Sequence, residues 1–290
     1  MIMSRIQLRH DYPSLAHIAT IALSNSYGRH QVLWSLFEEA QRFLYHEEPP
    51  RRGGAPTPTY FTLSDIQPKG DAGVFRIESK PYEPVISNGE RLSFSLRANP
   101  VIKRKRQNRK NSAKHDVVMD AQRAFLFSLL GDSKRIDQSP PPPRSDLYRS
   151  ARETVEDDRS ALERQIESWF VDEDAGAILN RSQALSAEDA IRMVTMHAGE
   201  VAARLWLERK GERVGFRLIE PKRTLVTEGY MRHTFQKARK RGSRPVTFSS
   251  IDFHGVLEVT ERGAFSRALT DGIGSAKGFG CGLLLVKRVR

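Results

Sequence analysis

Apolar and polar positions alternate over Ser4–His10, the two-residue period of a half-buried strand. Over Arg29–Glu39 the period changes: Val32, Leu33, Leu36 and Phe37 fall on one face of a helix. Strand-like runs return at Arg42–His46, Thr59–Ser64 and Arg91–Arg97, the last alternating through Leu92, Phe94 and Leu96. This β-α-β-β start is the opening order of a ferredoxin-like unit. Leu33, Trp34 and Phe37 are assigned to its core.

Helical spacing dominates the middle of the chain. Leu162, Ile166, Trp169 and Phe170 mark one helix, and Ile191, Val194, Val201 and Leu205 mark another over Ala187–Trp206. Ser186 with Asp189 reads as the start of the second, the serine serving as N-cap. The tract Pro140–Pro143 predicts a stiff, extended connection. Residues 120–208 are therefore expected to be mostly helical, with 132–185 an inserted segment. Beyond it, Gly215–Ile219 and Val246–Val259 read as strands, Glu261–Leu269 as a helix and Leu283–Val289 as a last strand. Thr234–Pro245 suits a hairpin whose turn includes Gly242. The expected fold is α+β: two tandem ferredoxin-like, RNA-recognition-like units with a helical insertion in the second half. The expected domains are 1–100, a basic linker over 101–118, and 119–290 with the insertion inside it.

The length of 290 residues suits two domains of roughly 100–200 residues each. No apolar run approaches the roughly 18 residues that cross a bilayer, and the opening MIMSRIQLRHDY lacks the apolar core of a secretory signal. A cytoplasmic protein is expected. Cys281, the single cysteine, reads as a small packed hydrophobe between glycines. The eight histidines show no H-x-x-x-H spacing, and no metal or cofactor is expected. His46-Glu-Glu48 reads H-x-E, yet no P-C-x-x-C follows, so the deaminase pattern fails.

Charge alters the picture. Lys and Arg total 47 against 35 acids, a net charge of +12 that favours polyanions. The excess is concentrated: Lys103–Lys114 holds seven basic residues and no acid, and Arg232–Arg244 holds six and no acid. Glu153–Asp174 reverses the sign with nine acids. Acid-free runs beside short strands point to phosphate contacts more than to a merely solvated face.

Gly272-Ile-Gly-Ser-Ala-Lys-Gly-Phe-Gly-Cys-Gly282 carries Gly272, Gly274, Gly278, Gly280 and Gly282 within eleven residues. It is neither a Walker loop, since Lys277 precedes its glycine, nor a dinucleotide loop, since only one strand's length of chain follows. It fits a loop between a helix and a final strand, packing on a sheet or offering amides and Lys277 to an anion.

This loop, GIGSAKGFGCGLL after FHGVLEV, resembles the C-terminal signature of the CasE family. Leu96-Arg-Ala-Asn-Pro100 resembles that family's L-R-A-N-P at the end of its first unit, and Tyr27-Gly-Arg-His30 its Tyr-x-x-His at the first helix. Arg217-Leu-Ile-Glu and Thr234-Phe235 resemble the strand and hairpin before the last sheet segment. The likeness covers 1–118 and 205–290; the Pro-tract and acidic region between them departs from it.

The resemblance implies a metal-independent endoribonuclease that cuts CRISPR repeat RNA hairpins and retains the product within a type I-E Cascade complex. His30 and Tyr27 are the implied proton-transfer pair, their acid and base roles open. An imidazole suits that work because its ordinary pKa lies near working pH; a phenol is a poor base unless tuned. A hairpin cation would stabilise the phosphorane, with Lys240 chosen over its rivals Arg239 and Arg241. The expected RNA contacts are Arg29, Lys103, Arg104, Lys105, Arg106, Arg109, Lys110, Lys114, Arg232, Lys237, Arg239, Arg241 and Lys277. His30 is expected where a helix begins, an end that favours phosphate. The competing readings are a non-catalytic subunit that binds structured RNA and, ranked last, a DNA-binding regulator.

Overall fold

The computed structural model describes residues 1–9, 26–38, 41–50, 57–69, 74–105, 112–131, 142–235 and 245–289. Its contacts group the chain into two compact units, Met1–Pro100 with Leu207–Arg290, and Val101–Trp206. The division expected from sequence follows tandem fold units instead, and its second part is shared between these two groups.

In the first unit, strand β1 (Ile2–Leu8) buries Ser4, Ile6 and Leu8, the face set by its alternation. Helix α1 (Ser26–Ser35) follows, then β2 (Leu44–Glu48), β3 (Thr59–Ser64) and β4 (Phe75–Pro81). They form an antiparallel sheet in the order β2-β3-β1-β4. Leu33, Leu36 and Phe37 pack on it against Ile6, Leu8, Phe43, Tyr45, Tyr60 and Phe75. Each such buried side chain contributes about 1.5–3 kcal/mol, enough to hold a ten-residue helix that would be marginal alone.

The second sheet corrects the sequence reading. Strand β5 (Arg91–Ala98), expected to belong to the first unit, pairs instead with two strands much later in the chain. These are β10 (Val246–Val259) and β11 (Leu284–Arg288), and the order is β11-β5-β10-β8, where β8 is Phe216–Leu218 and is followed by a short helix, α7 (Pro221–Thr224). Strand β9 (Val226–Phe235) pairs β10 beside it, in a register that slips between Ser250 and Asp252. The strand that does complete the first sheet is β4, where Phe75 and Ile77 alternate with exposed Arg76 and Glu78, and the sequence reading does not include it. Residues 236–244 of the expected Thr234–Pro245 hairpin lie outside the described residues.

Helix α8 (Arg262–Asp271) crosses from β10 towards β11, capped by Glu261, whose carboxylate accepts from the amides of Gly263 and Ala264. Leu44 and Leu63 of the first sheet meet Leu283 beside β11, with Phe61 and Leu285 packed around them. The architecture is α+β, two tandem ferredoxin-like units, with the helical insertion falling between β5 and its returning helix α6 (Ala187–Val214).

The second compact unit begins with hairpin strands β6 (Val101–Lys105) and β7 (Ser112–Asp116), where a linker was expected. Helices α2 (Val117–Leu129), α3 (Arg144–Asp157), α4 (Arg159–Trp169) and α5 (Ala175–Gln183) follow. Phe125, Leu147, Val155, Leu162, Ile166, Phe170, Ile191 and Val194 make its core. The Asp189 amide donates to Ser186 Oγ at 3.1 Å, the expected cap of α6.

Candidate functional site

Tyr27, His30 and Trp34 stand at i, i+3 and i+7 on α1, so their side chains share a face. That face borders the apolar stripe of Leu33, Leu36 and Phe37, which anchors the helix. His30 is the fifth residue of the helix, one turn in, so its own amide is not among the unpaired N-terminal donors. The expected placement at the helix start is thus corrected: any role for His30 rests on its imidazole.

The imidazole is half-buried among rings. Its centroid lies 5.7 Å from Phe43, nearly parallel, 5.5 Å from Trp34, edge to face, and 6.1 Å from Phe279. Among the described residues, its buried Nδ1 has no hydrogen-bond partner. Burial lowers the pKa below its ordinary 6.5, which favours the uncharged ring.

The glycine loop brings Phe279 there. Gly272, Gly274, Gly280 and Gly282 have positive φ, which side chains resist. A Cβ on Gly272 would lie 2.8 Å from Leu44, and one on Gly280 2.8 Å from Tyr45. The glycines therefore let this loop lie directly on β2. Gly278 passes His30, where a Cβ would fall 3.7 Å from its Cε1. Lys277 donates to the Asp271 carbonyl at 2.6 Å, and Arg42 to the same oxygen at 3.1 Å. Both cap the negative end of α8. Cys281 is fully buried and its thiol is pushed up to about 12, the packed role expected.

Strands β9 and β10 supply the other wall. Tyr27 stacks on Phe235 at 5.5 Å, and Phe235 lies 4.9 Å from Phe279. Phe248 stacks on Phe279 at 5.1 Å and on His233 at 4.5 Å. The ring of His233 hydrogen-bonds Ser250 Oγ at 2.8 Å, and burial, then Arg29, lower its pKa. Tyr27 and His30 thus flank one half-exposed aromatic patch.

Arg29 does not project as a free cation: its guanidinium pairs with Glu47. Glu47 also meets Arg97 at 3.3 Å, and Arg97 grips Asp252 through Nε at 2.7 Å and Nη2 at 2.8 Å. Arg232 alternates with His233 along β9 and faces away from the rings. In the second compact unit, Lys103, Arg104 and Lys114 are exposed on the β6–β7 hairpin, with Lys103 directly opposite Lys114. Like charges so placed repel, which an anion would relieve. The side chain of Lys105 and the whole of Arg106, Arg109, Lys110, Lys237, Arg239, Lys240 and Arg241 lie outside the described residues.

Trp34 is a correction. Assigned to the core from its place in the helical pattern, it is 40 % exposed. Phe279, Phe248 and the Arg29–Glu47–Arg97–Asp252 chain went unread, though the motifs carrying Phe279 and Arg97 were singled out. Their partners sit in distant segments, and no local signal marks them. Among the described residues, no group of three or more His, Cys, Asp or Glu could hold a metal ion, and no helix is long and apolar enough to cross a membrane.

Comparison with known proteins gives a consistent assignment. A family model described as CRISPR associated protein matches residues 1–171 and 172–288. No curated protein matches the chain. Among solved structures, the CRISPR endoribonuclease Cse3 bound to a 19-nucleotide RNA is similar at TM-score 0.57 and 20 % identity, over 99 % of this chain and 100 % of that one. Cse3 from Thermus thermophilus, bound to an RNA representing a pre-cleavage complex, gives 0.56 and 20 %, over 99 % and 98 %. Cas6e from Escherichia coli K-12 gives 0.50 and 18 %, with both chains covered in full. At these identities the likeness establishes the shared fold. With the family model spanning nearly the whole length, and with the CasE-like motifs gathered around one patch, the chain belongs to the family of CRISPR-associated proteins.

Proposed function

We propose that the chain is a CasE-type endoribonuclease that cuts CRISPR repeat RNA hairpins without a metal and keeps the product as a subunit of a cytoplasmic Cascade surveillance complex. The observation that carries this is the half-exposed imidazole of His30, set one turn from Tyr27 at the edge of an aromatic patch. The Cse3 structures with bound RNA, and the endoribonuclease name they carry, support the substrate class.

In this reading the RNA's own 2′-oxygen attacks the adjacent phosphorus. His30 takes the 2′-hydroxyl proton; its lowered pKa keeps the ring in the unprotonated form that can accept it, though as a weaker base. Tyr27 gives its phenol proton to the departing 5′-oxygen, which leaves protonated, and the proton taken up by His30 returns through solvent to the phenolate after product forms. The P–O5′ bond breaks, giving a 2′,3′-cyclic phosphate and a 5′-hydroxyl end. Lys240 stabilises the phosphorane. Lys103, Arg104 and Lys114 bind backbone phosphates, as an A-form hairpin exposes geometry more than base edges. We also propose the tandem domains 1–100 and 119–290, with β5 serving the second sheet.

The test is incubation of the full chain with a repeat RNA hairpin in EDTA. Cleavage to a cyclic phosphate end that disappears in His30→Ala, while RNA binding survives, supports the reading. Binding without cleavage would make the protein an RNA-binding subunit alone.

A further inference from the structure

Trp34 stands one helical turn beyond His30, on the side away from Tyr27. Four residues of helix separate them by about 6 Å along the axis. Its neighbours Leu33, Leu36 and Phe37 are buried, yet Trp34 is 40 % exposed, the only aromatic among the exposed large hydrophobic residues described. Leaving an indole in water forgoes the stabilisation its burial would bring. Among the described residues, its ring contacts are on the inner side: the edge-to-face contact with His30 at 5.5 Å, and a tilted contact with Phe43 at 6.2 Å. These two rings hold the indole in place and leave its outer surface to solvent. An oriented, uncovered aromatic surface beside a proton-transfer group is what a flat ligand next to the reacting atoms would use.

We propose that Trp34 is a stacking subsite for the unpaired nucleobase that flanks the scissile phosphate. This rests on the endoribonuclease reading above and adds to it a base-binding site. Unstacked bases are commonly held on aromatic side chains, and the preference is tolerant of base identity because each base has a π-face. A phosphate held at His30 carries a neighbouring nucleotide within reach of a ring one turn away. The base in question is the one 3′ of the scissile phosphate, so stacking would also fix the direction in which its 5′-oxygen departs, opposite the incoming 2′-oxygen. Trp34 would then act in two steps, on affinity through the base and on rate through the alignment of the leaving group.

The experiment uses the full chain and a repeat hairpin carrying 2-aminopurine beside the scissile phosphate, with a 2′-deoxy sugar at the attacking position to block cleavage. Binding to the wild type quenches the fluorescence, Trp34→Phe retains most of the quench, and Trp34→Ala loses it. Trp34→Ala weakens this RNA by about 5- to 150-fold, yet binds a hairpin truncated at the cut site as the wild type does. Trp34→Leu keeps the apolar bulk and controls for folding; it behaves as Trp34→Ala. An unchanged quench in Trp34→Ala, or equal weakening of the truncated hairpin, overturns the subsite and leaves the nuclease reading intact. A wild type that binds no RNA sinks the nuclease reading, and the subsite with it.

Discussion

Arg97 and Asp252 face each other across paired strands β5 and β10, joined by two hydrogen bonds of 2.7 and 2.8 Å. The same guanidinium meets Glu47 on β2, and Glu47 holds Arg29, the residue before His30. The arginine of the L-R-A-N-P motif thereby ties the second sheet to the helix that carries the candidate imidazole. All four side chains are largely shielded from water.

Removing one member of this chain leaves its partners charged and poorly solvated. Arg97→Ala is expected to lower stability by about 3 kcal/mol, read from urea unfolding. Arg97→Lys should recover only part of it, because an ammonium cannot form the two-pronged contact. Additivity of Arg97→Ala and Glu47→Gln in a double-mutant cycle would show that the two are not coupled.

His30→Ala is expected to slow single-turnover cleavage by about 10²- to 10⁴-fold with RNA affinity nearly unchanged. The pH profile carries the sign. Because burial lowers the pKa of His30, the rate should climb with pH below 6.5 and level off by neutrality, if the imidazole accepts the proton. A rate that falls over the same interval would assign it the acid role instead.

Stability should also depend on pH in a defined window. Unfolded imidazoles bind a proton near pH 6.5, whereas burial, then Arg97, bring His46 down to about 4, and His30 and His233 are lowered as well. Between those values the unfolded chain holds more protons, so stability rises with pH and is lost as pH falls from 6.5 towards about 4. Urea midpoints at pH 7.5, 6 and 5 measure this, and His46→Gln should flatten the slope. Equal midpoints at all three would contradict it.

Two glycines of one loop should respond differently to alanine. Gly280 has φ +81 and a Cβ there would lie 2.8 Å from the Tyr45 ring, so Gly280→Ala should cost about 1–3 kcal/mol. Gly278 has ordinary backbone and open contact to His30, so Gly278→Ala should stay within about 0.5 kcal/mol. Thermal melts of the two variants separate the cases.

Salt dependence should distinguish free cations from engaged ones. Lys103→Gln and Lys114→Gln should each reduce the slope of log affinity against log salt by about 0.7–0.9. Arg29→Gln should instead lower stability, since its charge is already matched by Glu47. A full-sized slope change for Arg29→Gln would mean that the pair opens when RNA binds.

Much of the secondary structure was legible in the residues themselves. Thr59–Ser64 and Val246–Val259 are legible to the residue, and α8 and β11 nearly so, whereas α6 is read from its start at Ala187 only to Trp206 and in fact continues to Val214. Pattern reading failed where pairing mattered. The alternation of Leu92, Phe94 and Leu96 correctly marks a buried face, but a period of two is silent about which strand lies alongside. Ser95 meets His254 from far along the chain, and that choice moved β5 into the second sheet. In the same way, helical spacing put Trp34 near the core, whereas a few tens of degrees of rotation about α1 leave it open beside His30.

The sequence by itself determined most of the element types, the concentration of positive charge and the motifs Tyr27-x-x-His30, L-R-A-N-P and the glycine loop, because periodicity, charge and backbone permissiveness are local properties. Only the tertiary structure decided that Phe279 and Phe43 enclose the imidazole, that Arg97 reaches Glu47 and Asp252, and that Trp34 stays uncovered. Those relationships depend on strand pairing and close approach between segments distant in the chain, and desolvation at a site is set by whatever neighbours the fold brings there.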